Sequence, residues 1–148
     1  MLEVPSLAET LDILLPRLDF ISIGTNDLTQ FLFAADRSDP RLAQRYDWLS
    51  PAILRFLKRV LDAARAHKVP ARICGEMAGR PLEAMALVGI GAENFSITPA
   101  GVGPVKAMVR SLDAEAAHVR LDQLLAKPPK DIRKALTDWA KRHGIVIG

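Results

Sequence analysis

ISIGTNDLTQFLFAADR, residues 21–37, decides how the rest of the chain is read. It opens as a buried strand, Phe20-Ile21-Ser22-Ile23, and breaks at Gly24. Thr25, Asn26 and Asp27 then stand in a row before a short apolar helix, Leu28 to Phe33. Polar groups in the turn that leaves a buried parallel strand are where α/β folds place ligand chemistry.

Outward from this stretch the same unit recurs. Met1–Val4 reads as the end of a strand, finishing in a carboxylate and Pro5. An amphipathic helix follows with Leu7, Leu11, Leu14 and Leu15 on one face, closed by Pro16 and Asp19. Ala34 to Asp47, with Asp36, Arg37, Asp39 and Pro40, predicts a loop long enough to be functional. Ser50-Pro51 is a helix start, hydroxyl cap then proline, and Ile53, Leu54, Leu57, Val60, Leu61 and Ala64 continue at helical spacing to about His67. Ala71–Cys74 predicts a strand, Pro81 to Gly89 a helix, and Asn94–Ile97 a further strand that leaves through Thr98-Pro99-Ala100-Gly101. Beyond Val102 the pattern is helical, over about 102–111, 113–126 and 130–143. The order βαβαβαβ followed by helices argues a parallel α/β sheet. A closed barrel needs eight strands and about 250 residues. The pattern therefore fits an open sheet or the second half of a barrel.

Composition bounds the function. With 148 residues, 49% hydrophobic and 25% charged, the chain has the make-up of an ordinary globular domain. Twenty basic residues against seventeen acidic ones leave a net charge of +3, mixed along the sequence, which does not argue for nucleic-acid binding. The single cysteine, Cys74, has no internal disulfide partner. Neither a signal peptide nor a membrane-length apolar run of about 18–20 residues is recognisable, so a cytoplasmic protein without membrane contact is expected.

Chemistry-bearing residues fall at the predicted strand exits. Glu3 and Asp27 end consecutive strands, and neighbouring strands lie about 4.8 Å apart, so the two carboxylates suit one shared hard cation such as Mg²⁺. Asp27 reads equally well as a helix N-cap. Arg37 suits bidentate phosphate binding or simple solvation, and Asn26 suits a phosphoryl contact or an Asx turn. Cys74, beside Gly75, reads as a thiol acid, a nucleophile or a small buried hydrophobe. Glu76 orients the loop or faces solvent. His67, His118 and His143 have no metal-ligand spacing and read as structural or solvated. Lys127, Lys130, Arg133, Lys134, Lys141 and Arg142 alternate with Ile132, Leu136 and Trp139, an amphipathic helix whose basic face is solvated or docks a protein.

Three motifs together resemble the phosphoenolpyruvate-utilising enzymes: Ser22-Ile23-Gly24-Thr25-Asn26-Asp27-Leu28-Thr29-Gln30, Ala34-Ala35-Asp36-Arg37 and Cys74-Gly75-Glu76-Met77-Ala78-Gly79. Met1-Leu2-Glu3-Val4-Pro5 is similar to that family's Met-Ile-Glu-Xaa-Pro strand end. The nearest look is to Enzyme I of the phosphotransferase system, its nitrogen-related branch more than its sugar branch. The resemblance implies a (β/α)8 TIM-type barrel that binds phosphoenolpyruvate with Mg²⁺, releases pyruvate and dimerises. It makes Glu3 and Asp27 the metal ligands, Asn26 and Arg37 the phosphoryl contacts, and Cys74 the acid that protonates the enolate carbon. The phosphoryl group passes to a histidine on a separate N-terminal domain and thence to a histidine phosphocarrier protein.

On this resemblance residues 1–112 are expected to be the second half of the barrel, and 113–148 a helical extension of the same domain. The phosphohistidine domain, the first half-barrel and its phosphate-binding arginines have no counterpart in these 148 residues. The isolated chain is expected to be unable to phosphorylate itself, and to self-associate through its open edge. The alternatives are a fragment of pyruvate phosphate dikinase or phosphoenolpyruvate synthase, an Mg²⁺-enolate aldolase or lyase, and a non-catalytic dimerisation or regulatory module. Dikinases typically follow Cys-Gly-Glu with His-Gly-Gly, where Met77-Ala78-Gly79 stands here.

Overall fold

The computed structural model describes residues 1–39, 41–42 and 47–148. Pro40 and residues 43–46 of the predicted loop lie outside the described residues. Three short strands, β1 (Ile21–Gly24), β2 (Ala71–Cys74) and β3 (Asn94–Ser96), form one parallel sheet in the order β1-β2-β3. The register sets Gly24 beside Cys74 and Cys74 beside Ser96. Leu2 extends the sheet on the β1 side: its N–H donates to the Ser22 carbonyl at 2.7 Å, and its carbonyl accepts from the Gly24 N–H at 2.9 Å. Spatial order thus follows chain order without reversal. Because the strand ends are in register, the residues leaving Leu2, β1, β2 and β3 emerge along one edge.

Eight helices accompany the sheet among the described residues: α1 (Pro5–Ala8), α2 (Leu11–Leu14), α3 (Thr25–Phe33), α4 (Pro51–Ala66), α5 (Pro81–Gly89), α6 (Pro99–Ser111), α7 (Ala114–Ala126) and α8 (Ile132–Arg142). The Ser50 hydroxyl caps α4 by accepting from the Ala52 N–H at 3.3 Å, and Pro51 fills the first helical position, where a missing N–H costs nothing. All six apolar positions expected on the inner face of α4 are buried.

The sheet has two unlike faces. Ile21, Ile23 and Ile73 are buried beneath the helices. Ser22, Arg72, Cys74, Asn94 and Ser96 alternate with the inward positions on the other face, which is polar and partly or fully exposed.

Two sequence expectations give way to local physics. The first helix is broken: α1 and α2 are separated at Thr10, whose hydroxyl donates to the Leu7 carbonyl at 3.1 Å and competes with helix propagation. Pro16 then tightens residues Leu15–Arg17 into a 3-10 turn. Leu11 and Leu15 are nevertheless buried, as the predicted apolar face requires.

The second correction is Arg133, read above as one of the basic residues on the outer face of the last helix. It is half-buried, donating through Nη2 to Asp47 Oδ1 at 2.8 Å and to Glu83 Oε1 at 2.7 Å, and through Nε to Asp47 Oδ2 at 3.3 Å. The hydrogen bonds it donates to Asp47, and then the one to Glu83, hold the guanidinium pKa above its ordinary value against the opposing effect of burial. Glu83 is only 3% exposed, so burying its carboxylate relies on this hydrogen-bonded partner.

The terminal helices are therefore part of the body. α5 is buried nearly all round, with Leu121 and the Ala117 carbonyl of α7 filling the space a side chain at Gly89 would need. Among the described residues no helix is long and apolar enough to cross a membrane.

Replacing Arg133 by Met leaves Glu83 buried without its cation, and is expected to cost about 2–3 kcal/mol of stability. The double variant Arg133→Met/Glu83→Gln is expected to recover part of that loss. Urea denaturation of the three proteins measures both effects, and equal midpoints for Arg133→Met and the parent would rule the tie out as a stabilising contact.

Candidate active site

At the edge where the strands end, Gly24 is the first constraint. A side chain there would meet Glu3 Oε1 at 2.6 Å and Glu3 Cγ at 2.7 Å, so the Glu3 side chain occupies the space that the glycine leaves open. α3 begins directly after it, with Gly24 in the capping position. Thr25, Asn26 and Asp27 are thus the first turn of the helix and not the loop before it. Asp27 makes no side-chain capping bond, which removes the N-cap alternative, while its charge remains favourable at a helix N-terminus.

Thr25 is fully buried and donates its hydroxyl to the Cys74 carbonyl at 2.9 Å, tying the exit of β1 to the exit of β2. Gly75 follows with φ of +111°, and a Cβ on it would collide with Thr25 Oγ1 and come within 3.0 Å of Asn26 Oδ1. Its absence lets the Glu76 N–H donate to Asn26 Oδ1 at 3.2 Å. The Asn26 carbonyl oxygen is engaged by a residue fifty positions away, so Asn26 closes no Asx turn. Its –NH₂ group is left to donate elsewhere.

Cys74 sits on the polar face of the sheet, half-buried. Its sulfur lies 3.4 Å from Ser22 Oγ and 3.4 Å from the Ile23 carbonyl, to which the thiol donates, and 4.0 Å from the Met1 sulfur. Arg37 is held at the backbone, where its N–H donates to Gln30 Oε1 at 3.1 Å. Its Nε lies 3.6 Å from Asp27 Oδ1, with both side chains about half exposed. Next to it, Asp36 accepts from the hydroxyl and the N–H of Ser38 at 2.6 and 2.8 Å, which holds its carboxyl below the usual carboxylate range and fixes the loop's first turn.

The strand exits thus gather Glu3, Asn26, Asp27 and Cys74, and the α3 loop brings Arg37 back to Asp27. The histidines stay apart from this edge. His118 Nδ1 is bonded to the Gly89 carbonyl at 3.0 Å, His143 Nδ1 to the Trp139 carbonyl at 2.8 Å, and His67 is an exposed residue ending α4. Among the described residues no three His, Cys, Asp or Glu side chains are grouped as a metal cage. Two carboxylates suit Mg²⁺, which is held by one or two of them and takes its remaining oxygens from phosphate and water.

Sequence reasoning missed several residues here. Thr25 locks the two exits together, and the signal was a hydroxyl directly following a strand. Arg80, in the capping position of α5, stacks its guanidinium over the Trp48 ring at 4.8 Å. A cavity of about 590 Å³ runs between α3 and these residues, with Asn26, Thr29, Arg37, Trp48, Arg80 and Arg133 on its walls. A second space of about 720 Å³ lies over the strand exits, from Asn26 and Gly75 to Ser96 and Thr98.

Comparison with known proteins bears on this arrangement. The family described as PEP-utilising enzyme, PEP-binding domain (PEP being phosphoenolpyruvate), matches residues 1–114. The chain is 40% identical over 146 residues to a protein of Escherichia coli K12 named "Phosphoenolpyruvate-dependent phosphotransferase system", covering 98% of this chain and 20% of that protein. It is 38% identical over 142 residues to the "Phosphoenolpyruvate-protein phosphotransferase" of Cupriavidus necator, covering 95% of this chain and 24% of that protein. Against the "Multiphosphoryl transfer protein" of Xanthomonas campestris the identity is 40% over 144 residues, 97% of this chain and 17% of the relative. The chain therefore spans about a fifth of the length of the curated relatives it matches. A parallel sheet whose exits bring Asn26, Asp27 and Cys74 to one edge, matched over residues 1–114, belongs to the phosphoenolpyruvate-binding domain family of the PEP-utilising enzymes.

Proposed function

We propose that this chain is the phosphoenolpyruvate-binding half-barrel of an Enzyme I-type phosphotransferase, which moves the phosphoryl group of phosphoenolpyruvate to a protein histidine and releases pyruvate. The observation that carries this reading is the Asn26 side chain. Its oxygen is fixed by the Glu76 N–H, which leaves its amide protons free to donate to a ligand. Phosphoryl transfer asks for this kind of positioned donor, because its barrier is lowered chiefly by alignment and charge neutralisation.

In this reading Asn26 and Arg37 bind the phosphoryl oxygens. Glu3 and Asp27 hold a Mg²⁺ ion, which when bound supplies positive charge to the phosphoryl and enolate oxygens. The P–O bond of phosphoenolpyruvate breaks and the phosphoryl group goes to a histidine nitrogen. The enolate left behind takes a proton at its terminal carbon from the Cys74 thiol, and the thiolate regains one from solvent. Ser22 Oγ and the Ile23 carbonyl, each 3.4 Å from the sulfur, hold the thiol in place for that transfer.

Two further features support the half-barrel. Spatial order follows chain order, as in a barrel wall, and the polar face carrying Ser22, Arg72 and Cys74 is where additional strands would close over the site. Residues 1–112 form that half and 113–148 the extension packed on α5, a division supported by the family match ending at residue 114. Exposed Met1, Ile13 and Phe20 support self-association. The relatives' names support a protein acceptor within a phosphotransferase system.

Calorimetric titration of the chain with phosphoenolpyruvate is expected to give binding that requires Mg²⁺ and weakens at least tenfold in Asp27→Asn. Mg²⁺-dependent binding of unchanged strength in that variant would remove Asp27 from the site. In a full-length enzyme carrying this domain, Cys74→Ala is expected to bind phosphoenolpyruvate normally while pyruvate release falls about 10²–10⁴-fold, the usual scale of a lost general acid. Pyruvate release at the parental rate would assign the proton to another donor.

A further inference from the structure

Three groups among the described residues lie within hydrogen-bond reach of the Cys74 sulfur, and only one of them carries a proton. The Ile23 carbonyl at 3.4 Å accepts, and so does the Met1 thioether at 4.0 Å. The Ser22 hydroxyl, also at 3.4 Å, can both donate and accept. With the single thiol proton turned to the Ile23 carbonyl, Ser22 is the donor of its own contact with the sulfur. Once that proton has left, the carbonyl and the thioether present only lone pairs to a negative sulfur. Ser22 alone of the three can then stabilise it.

The sheet register explains the contact. β1 pairs Gly24 directly with Cys74 and Ser22 with Arg72. Gly24 offers no side chain to the thiol, which leaves the diagonal neighbour on the same face, Ser22, to meet it. The Ser22 hydroxyl makes no other hydrogen bond among the described residues. The residue is half-buried, so Oγ keeps a lone pair free to accept from water.

We propose that Ser22 is the positioning residue of the proton step: its hydroxyl donates to the Cys74 thiolate and passes a proton back to it from solvent. The inference deepens the phosphoenolpyruvate reading and rests on it. As the enolate carbon takes the thiol proton, the S–H bond breaks, a C–H bond forms and the electron pair stays on sulfur. The Ser22 O–H then changes from a neutral to a charge-assisted donor, roughly twice as strong. Its proton moves to sulfur while Oγ takes another from water, so each pyruvate released draws one proton from solvent.

The test compares the 148-residue chain with its Ser22→Ala and Ser22→Thr variants. The Ser22 side chain has no hydrogen bond but the one to Cys74 among the described residues, so both variants keep the fold, and matching urea midpoints check this. The thiolate of the single cysteine is read by its ultraviolet absorbance through a pH series, with Cys74→Ala as the blank. Ser22→Ala is expected to lower the thiolate fraction about tenfold wherever the thiol predominates, the scale of one hydrogen bond to a charged group, and Ser22→Thr to restore it. In a full-length enzyme carrying this domain, Ser22→Ala is expected to bind phosphoenolpyruvate as the parent does while kcat for pyruvate release falls about tenfold and returns in Ser22→Thr. A parental thiolate fraction or a parental kcat in Ser22→Ala overturns the inference, as does a loss that Ser22→Thr fails to restore. The absorbance measurement uses no substrate, so its failure leaves the phosphoenolpyruvate reading standing. Parental pyruvate release in Cys74→Ala instead overturns the assignment of Cys74 in that reading, and the relay with it.

Discussion

One hydrogen bond joins the halves of the site. The Thr25 hydroxyl reaches the Cys74 carbonyl from the first turn of α3, and it does so through space that a side chain at residue 75 would occupy. The Thr25 side is fully buried, so loss of the bond would leave its hydroxyl unsatisfied in the interior. It fixes the relative height of two strand exits. Asn26 follows Thr25 and is oriented in turn by the Glu76 backbone. The carboxylate, amide and thiol at this edge are therefore packed around two glycines, at 24 and 75, where added side chains would meet those of Glu3, Thr25 and Asn26.

The helices beyond β3 serve the same end from behind. α7 fills the groove at Gly89, and the Arg55 guanidinium donates to the Leu125 carbonyl, binding α4 to the C-terminal end of α7. Arg133 then couples α8 to Asp47 and to buried Glu83. Asp47 lies at the far end of the segment that begins with Arg37, and it also accepts from the Leu49 N–H at 2.9 Å. The last helix thus bears on the placement of Asp47 and the entry to α4. Helices that read as peripheral in the sequence are structurally continuous with its centre.

Much of this was legible in the sequence, because strand exits have a chemical signature. Short apolar runs ending in glycine, a polar triplet or a cysteine placed β1, β2 and β3 within a residue of where they lie. The gathering of Glu3, Asn26, Asp27 and Cys74 at one edge follows from parallel topology alone. Periodicity could not reveal which polar residues turn inward. Arg133 sits among residues that alternate charged and apolar, and only the tertiary position of Glu83, itself inside a run of buried apolar positions in α5, draws it in. Trp48 and Arg80 are likewise far apart in sequence, and their stacking depends on the approach of two loops. The break at Thr10 was hidden because a hydroxyl that competes for a backbone carbonyl leaves the leucine spacing intact.

The strict agreement between chain order and spatial order has a kinetic meaning. Each strand pairs with one already made, so the sheet can grow as the polypeptide leaves the ribosome, without waiting for distant partners. The salt bridge from Arg133 is a later contact. It reaches back 86 residues to Asp47 and 50 to Glu83, and it cannot form until nearly the whole chain has been synthesised. Until then Glu83 is a charge in an incomplete interior. Maturation of the domain accordingly includes the docking of α8 on Asp47 and Glu83, and a nascent chain stalled before residue 133 has its sheet but not this lock.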